Sequence, residues 1–331
     1  MSALPKTISD PVPLAIIGGT GLSTLPSPPF TPVAQLTDLS TPWGAPSSPI
    51  TILEYRSPAP SSLTSSSSPG IKVAFLARHG THHHLAPHEI PQKANVAALK
   101  KIGVKAAIGF SAVGSLREEV KPRDFVVAGQ VVDWTRGLRP QTFFEDGIVG
   151  HISLADPFDI ALSKAITTAI SAPDVLDGNT LKVHSGATII CISGPQFSTR
   201  SESILYRNLP TEPPISCIGM TSVPETKLYK EAEIAYALVC MSTDYDSWHA
   251  TNEGVSVEMV MGHMAANSGN ARKAIASILE EVTKQGDLIG NSRLEGTNRG
   301  GVMGLERQID GKGKEAVDRL RWLFGDKWID G

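Results

Sequence analysis

At 331 residues the chain is long enough to bury a large core, as one α/β domain or as two smaller ones. Its 41% hydrophobic and 19% charged residues are ordinary for a folded soluble protein. The formal net charge of −3 gives no general attraction to nucleic acid or to an anionic membrane, so any anion site has to be local.

Met1 to Pro13 carries Pro5, Pro11 and Pro13 and lacks the continuous apolar core of a secretory signal. Leu14 to Ile17 is a short apolar run ended by glycines, which predicts a buried first strand feeding a tight loop. Thr51 to Tyr55 and Ile71 to Ala77 predict two more strands. Between them Ser57 to Gly70 is rich in Ser and Pro and has little to bury, so it reads as an exposed, mobile insertion dispensable for chemistry. Gln92 to Ile102 has helical spacing, and Ala106 to Phe110 reads as the strand that follows it.

Further strands are expected at Phe125 to Val132, Thr188 to Ser193, Ile215 to Ile218 and Ile234 to Met241. Helices are expected at Pro157 to Ile170, Thr199 to Asn208, Val223 to Lys230 and Val255 to about Gln285. Strands alternating with helices imply an α/β fold around a parallel or mixed sheet. Thr199 with Glu202 and Ser222 with Glu225 have capping-box spacing. After Glu295 the chain turns glycine-rich, and Lys312 to Trp328 offers one amphipathic helix. The longest apolar run, Ile234 to Met241, falls far short of the roughly 20 residues that span a bilayer. Cys191, Cys217 and Cys240 lie in apolar runs, which predicts buried thiols in a reducing compartment. The expected location is the cytoplasm, extending to the nucleus.

Several stretches hold groups suited to an anion. The backbone of Gly18-Gly19-Thr20-Gly21 can approach a phosphate closely, although the same glycines also suit a plain turn. Arg78 and His79 end an apolar strand, where an α/β sheet opens toward its ligand crevice, and offer a fixed positive fork and a second donor. Ser111 to Ser115 forms either a phosphate wall or a small-residue turn. Thr221 precedes a helix start whose positive dipole end favours anions. His82, His83, His84 and His88 form a cluster, but consecutive histidines cannot all face one ion, so a solvated loop is expected and no metal. Thr243-Asp244-Tyr245-Asp246 places two carboxylates just after a buried run.

Six stretches together resemble the purine nucleoside phosphorylase family, and within it the phosphorylases of S-methyl-5′-thioadenosine. They are Ile16 to Leu22, Leu76 to Gly80, Leu138 to Phe143, Gly194 to Arg200, Met220 to Glu225 and Thr243 to Asp246, in the family's order across residues 14 to 285. The resemblance implies a single α/β domain with a distorted central mixed sheet, a homotrimer, and phosphorolysis of methylthioadenosine to adenine and methylthioribose 1-phosphate. Inorganic phosphate is then a co-substrate, and no cofactor, nucleic acid or membrane is involved. By matching position it implies that Thr20, Arg78, His79, Ser111, Ala112 and Thr221 contact phosphate and that Met220 lies against the ribose. Phe197, Ser198, Thr243, Asp244 and Asp246 would surround the purine, and His151 would reach a neighbouring subunit's site. It also places the Val257, Val260 and Met261 face against the 5′-methylthio group. Gln196 stands where an Arg is usual, Gly219 where an Asn is usual, and Ser111 where some members have Thr. The expected layout is a nucleoside phosphorylase-like domain over residues 1–294, with the insertion at 57–70, and a C-terminal extension over 295–331.

The chemistry of N-glycosidic cleavage fits these groups. The transition state is oxocarbenium-like and negative charge builds on the departing base, so an acid at purine N7 helps. Burial and a neighbouring Asp246 would raise the pKa of Asp244 into a useful range. An Asp at this position favours 6-aminopurines, because an ionised carboxylate repels the O6 of a 6-oxopurine. The competing readings are a phosphorylase for 6-oxopurine nucleosides such as inosine or methylthioinosine, a metal-dependent hydrolase using the histidines, and a nucleoside sensor without turnover.

Overall fold

The computed structural model describes residues 4–25, 27–56, 70–176, 180–249, 255–289, 293–307 and 311–331. Its strands are β1 (Leu14–Gly18), β2 (Phe30–Leu36), β3 (Ile50–Tyr55), β4 (Ile71–Ala77), β5 (Ala106–Ser115), β6 (Phe125–Trp134), β7 (Val149–Gly150), β8 (Val183–Ile192), β9 (Ile215–Gly219), β10 (Ala235–Tyr245) and β11 (Val302–Met303). Its helices are α1 (Gln92–Lys101), α2 (Ile160–Ile170), α3 (Arg200–Asn208), α4 (Ser222–Glu231), α5 (Val257–Lys284), α6 (Gly311–Phe324) and α7 (Asp326–Asp330). Most of the insertion lies outside the described residues.

Nine strands form one mixed sheet in the order β10-β6-β8-β9-β5-β1-β4-β3-β2, and β10 pairs back onto β5. That extra pairing closes β10, β6, β8, β9 and β5 into a ring, and the remaining strands extend from it as an open sheet. This closure is the distortion of the central sheet, and it gathers the C-terminal ends of β5, β8, β9 and β10 around one opening. The fold is a single α/β domain. One face of the sheet packs against α1 and α4 through Val96, Leu99, Leu228 and Tyr229. The other packs against α2 and α5 through Leu162, Ile166, Ile275 and Leu279.

Two strands run further than hydropathy predicts. β5 continues through Ser111 to Ser115, which is therefore strand and not a turn, and β10 continues through Thr243 to Tyr245. The two stay in parallel register to Tyr245 opposite Ser115, with a bulge between Ser242 and Asp244. The bulge re-aims the side chains that follow it. β2 escapes an apolar-run reading because only part of it is buried and it contains Pro32, which an edge strand tolerates.

At α3 the expected capping box forms, with Thr199 and Glu202 bonding each other's backbone. At α4 it does not. Val223 is extended (φ −120°, ψ 134°), Thr221 makes no side-chain cap, and Glu225 is engaged elsewhere, as described below. The expected C-terminal helix is two helices divided at Gly325 (φ 86°). α6 buries Val317, Leu320 and Leu323 in the same cluster as α1 and α4, and Trp328 donates from Nε1 to Glu233 at 3.1 Å.

Candidate active site

The ends of β5, β8, β9 and β10, with the loops after β1 and β4 and the start of α5, enclose a cavity of about 470 Å³. Fourteen of the sixteen expected site residues line it: Thr20, His79, Ser111, Ala112, Phe197, Ser198, Met220, Thr221, Thr243, Asp244, Asp246, Val257, Val260 and Met261. They come from seven separated stretches of sequence, brought together around the strand ring.

Part of the lining is hydroxyl-bearing. Ser111, at the end of the buried part of β5, lies 3.3 Å from the Thr221 hydroxyl. His79 is buried, and its Nδ1 donates to the Leu85 carbonyl at 2.8 Å. Burial holds its pKa down at about 4, and the Arg78 charge adds to that. A neutral His79 with Nδ1–H occupied presents Nε2 as an acceptor, not as the second donor expected from sequence.

Asp244 and Asp246, which line the same cavity, are both buried. Asp244 Oδ2 accepts from the Thr243 hydroxyl at 2.7 Å, while Oδ1 has no partner among the described residues. Burial pushes the Asp244 carboxyl up to about 6, Asp246 adds to the rise, and the Thr243 bond opposes it. Asp246 is raised too, again chiefly by burial, and its Oδ2 is also unpartnered. Gly114 packs beneath the pair, since a Cβ there would lie 3.1 Å from Asp244 Oδ1 and 3.3 Å from the Asp246 Cβ. The wall nearest α5 is apolar, with Val257 and Met261 still partly exposed.

Two expected site residues lie elsewhere. Arg78 is fully buried behind the wall: Nε and Nη2 donate to the two Glu225 oxygens at 3.0 and 2.8 Å, and Nη1 donates to the Phe110 carbonyl at 2.9 Å. A strand-end Arg reads as an anion ligand from sequence, but here a buried carboxylate takes its fork. His151 is exposed and lines a separate cavity with Phe144, Lys227 and Glu231.

The structure also adds residues to the pocket. His83, His84, Leu85, Ala86 and Pro87 line it, so part of the histidine cluster, solvent-exposed as expected, also borders the cavity. The His83 and His79 rings lie 4.5 Å apart. Consecutive histidines gave no periodic signal from which to read this. Among the described residues no three His, Cys, Asp or Glu side chains are arranged to hold a metal ion.

The sequence profile of the phosphorylase superfamily matches residues 13–280. The S-methyl-5′-thioadenosine phosphorylase of Aspergillus fumigatus is 48% identical over 330 residues, covering 99% of this chain and 91% of its own length. That of Tuber melanosporum is 52% identical over 298 residues, covering 89% and 91%. Among solved structures, a methylthioadenosine phosphorylase from an antarctic soil metagenomic library is 34% identical with a TM-score of 0.76, over 95% of this chain and 99% of that one. The methylthioadenosine phosphorylase of Schistosoma mansoni in complex with adenine is 27% identical with a TM-score of 0.68, over 85% and 99%. A profile match over most of the sequence, relatives along nearly all of it and the shared fold make this chain a member of the phosphorylase superfamily.

Proposed function

We propose that the protein catalyses phosphorolysis of S-methyl-5′-thioadenosine, releasing adenine and S-methyl-5-thioribose 1-phosphate. The observation that carries this reading is one cavity lined both by the hydroxyl residues Thr20, Ser111 and Thr221 and by Asp244, which has a buried, unpartnered oxygen. Relatives of this name match along nearly the full length of the chain.

Inorganic phosphate sits against Thr20, Ser111, Ala112 and Thr221 with its own O–H donated to His79 Nε2, and another phosphate oxygen attacks ribose C1′. The C1′–N9 bond breaks as the C1′–O bond forms, and the electron pair passes into the purine. Asp244 gives its proton to N7, so adenine leaves neutral. A protonated carboxyl offers a donor and an acceptor side by side, which matches adenine N7 and N6–H and mismatches the paired acceptors N7 and O6 of a 6-oxopurine. Asp246, Thr243, Phe197 and Ser198 enclose the base, Met220 lies against the ribose, and Val257, Val260 and Met261 receive the methylthio group. Phosphate is the only co-substrate, without metal or cofactor. The working form is a homotrimer in which His151 reaches a neighbouring site, located in the cytoplasm and nucleus.

The direct test incubates the protein with methylthioadenosine, adenosine and inosine, each with and without phosphate, and identifies base and sugar products. Phosphate-dependent adenine release with a sugar 1-phosphate is expected. Base release without phosphate, or a free sugar product, overturns the reading.

A further inference from the structure

We propose that Arg139 is a positioning residue for this reaction: its guanidinium ties together two of the chain segments that form the pocket. It does not line the active-site cavity. Nη1 donates to the carbonyls of Met220 and Val223, each at 2.6 Å, and Nη2 donates to those of Ser193 at 2.6 Å and Ile192 at 3.4 Å. All four Nη hydrogens therefore go to backbone oxygens, two on each segment.

These segments carry site residues and leave their strands at irregular points. One runs from the end of β8 toward Phe197 and Ser198, turning at Gly194 with φ 62°. The other runs from β9 through Met220 and Thr221 to the extended Val223. They meet where Gly194 packs on Met220; a Cβ at Gly194 would come 2.5 Å from the Met220 sulfur. Ser193 and Met220 lie just beyond the ends of β8 and β9, and Val223 is extended where α4 begins. A buried guanidinium in a fixed fork donates to their carbonyls and sets the spacing of the two segments. Arg139 is 6% exposed, so its bonds compete with little water.

The consequence falls on Met220 and Thr221, hence on ribose and phosphate, and not on Asp244, whose strand β10 carries no bond to Arg139. Arg139 also borders a second cavity of about 280 Å³ with Trp43, Gln92 and Glu145. That cavity gives a small guanidinium a way in when the side chain is removed.

The inference rests on the proposed phosphorolysis, which wild-type turnover in the same assay tests by itself. Arg139→Ala and Arg139→Lys are compared with wild type for KM of phosphate and nucleoside, kcat, pH profile and folded fraction by circular dichroism. A displaced binding segment predicts higher KM for both substrates and a fall of about 100-fold in kcat/KM for the Ala variant. The Lys variant is expected in between, the alkaline limb of the pH profile is unmoved, and ethylguanidinium restores part of the Ala variant's rate. Unchanged KM values, with a rate loss matching the lost folded fraction in both variants, overturn the proposal, because folded fraction alone does not alter KM. Phosphate affinity by calorimetry needs no turnover and scores Arg139 whichever nucleoside proves to be the substrate. Weaker binding in the Lys variant supports the proposal, and equal binding in both variants overturns it.

Discussion

Arg78 and Glu225, 147 residues apart in sequence, meet fork to fork in the interior, with Nε to Oε1 at 3.0 Å and Nη2 to Oε2 at 2.8 Å. The Tyr236 hydroxyl donates to Oε2 at 2.8 Å and Phe110 takes a further guanidinium proton. Both side chains are almost wholly shielded from water. Removing one partner leaves the other charge buried and alone. Glu225→Ala should therefore lower unfolding free energy by about 3–5 kcal/mol, measured by denaturant titration. A loss below about 1 kcal/mol would show the pair to be dispensable for stability.

Asp244 should control both rate and pH dependence. Asp244→Ala is expected to lose about 10²–10⁴-fold in kcat while remaining folded. The acid must be protonated to act, and its pKa stands near 6. In wild type kcat/KM should fall as pH rises through about 6, and that limb should vanish in Asp244→Asn. A variant retaining the same limb would assign it to another group.

Base choice follows from the same carboxyl. Asn in place of Asp244 always carries an N–H pair and can donate to O6, so Asp244→Asn should shift preference from adenine nucleosides toward inosine. Competition between the two nucleosides with base detection measures it, and unchanged selectivity would contradict the assigned contact.

The parts of the site that were legible in sequence are those with short-range signals: glycines after β1, hydroxyls after apolar strands, and paired carboxylates at a strand end. What escaped depends on distant chain. Thr243 and Asp244 are polar and look like a turn, yet they lie on β10 because β5 continues to pair with them beyond the bulge. Glu225 has capping spacing with Ser222, but the buried Arg78 outcompetes a backbone N–H for its carboxylate. Phe30–Leu36 hides as a strand because its outer face is wet. The closure of β10 onto β5, which turns an alternating α/β pattern into a pocket, has no local signature.

The apolar lip should set the 5′ preference. Val260 and Met261 line the cavity from α5, with Met261 47% exposed at its edge. An apolar lining distinguishes a thioether from a hydroxyl by about 1–3 kcal/mol, so adenosine should be a poorer substrate than methylthioadenosine without being excluded. Met261→Ser and Val260→Thr should narrow the ratio of the two kcat/KM values, chiefly by worsening methylthioadenosine. A ratio unchanged in both variants would place the 5′ group elsewhere.

His79 and Asp244 make stability depend on pH with opposite signs. His79 has a folded pKa near 4 against an ordinary 6.5, so the unfolded chain binds more protons between these values. Its contribution is complete above about 6.5 and is lost as pH falls toward 4, on the order of 3 kcal/mol. Asp244 is raised from 3.8 to about 6, so here the folded chain binds more protons, and stability falls as pH rises through that window. The two effects largely cancel in wild type between pH 4 and 6, which is why single variants are needed to see either. Unfolding free energies measured across this range should show Asp244→Asn gaining on wild type as pH rises to 7, and His79→Leu gaining on wild type as pH falls toward 4. Curves that stay parallel to wild type in both variants would mean that neither group is buried in the ionisation state assigned to it.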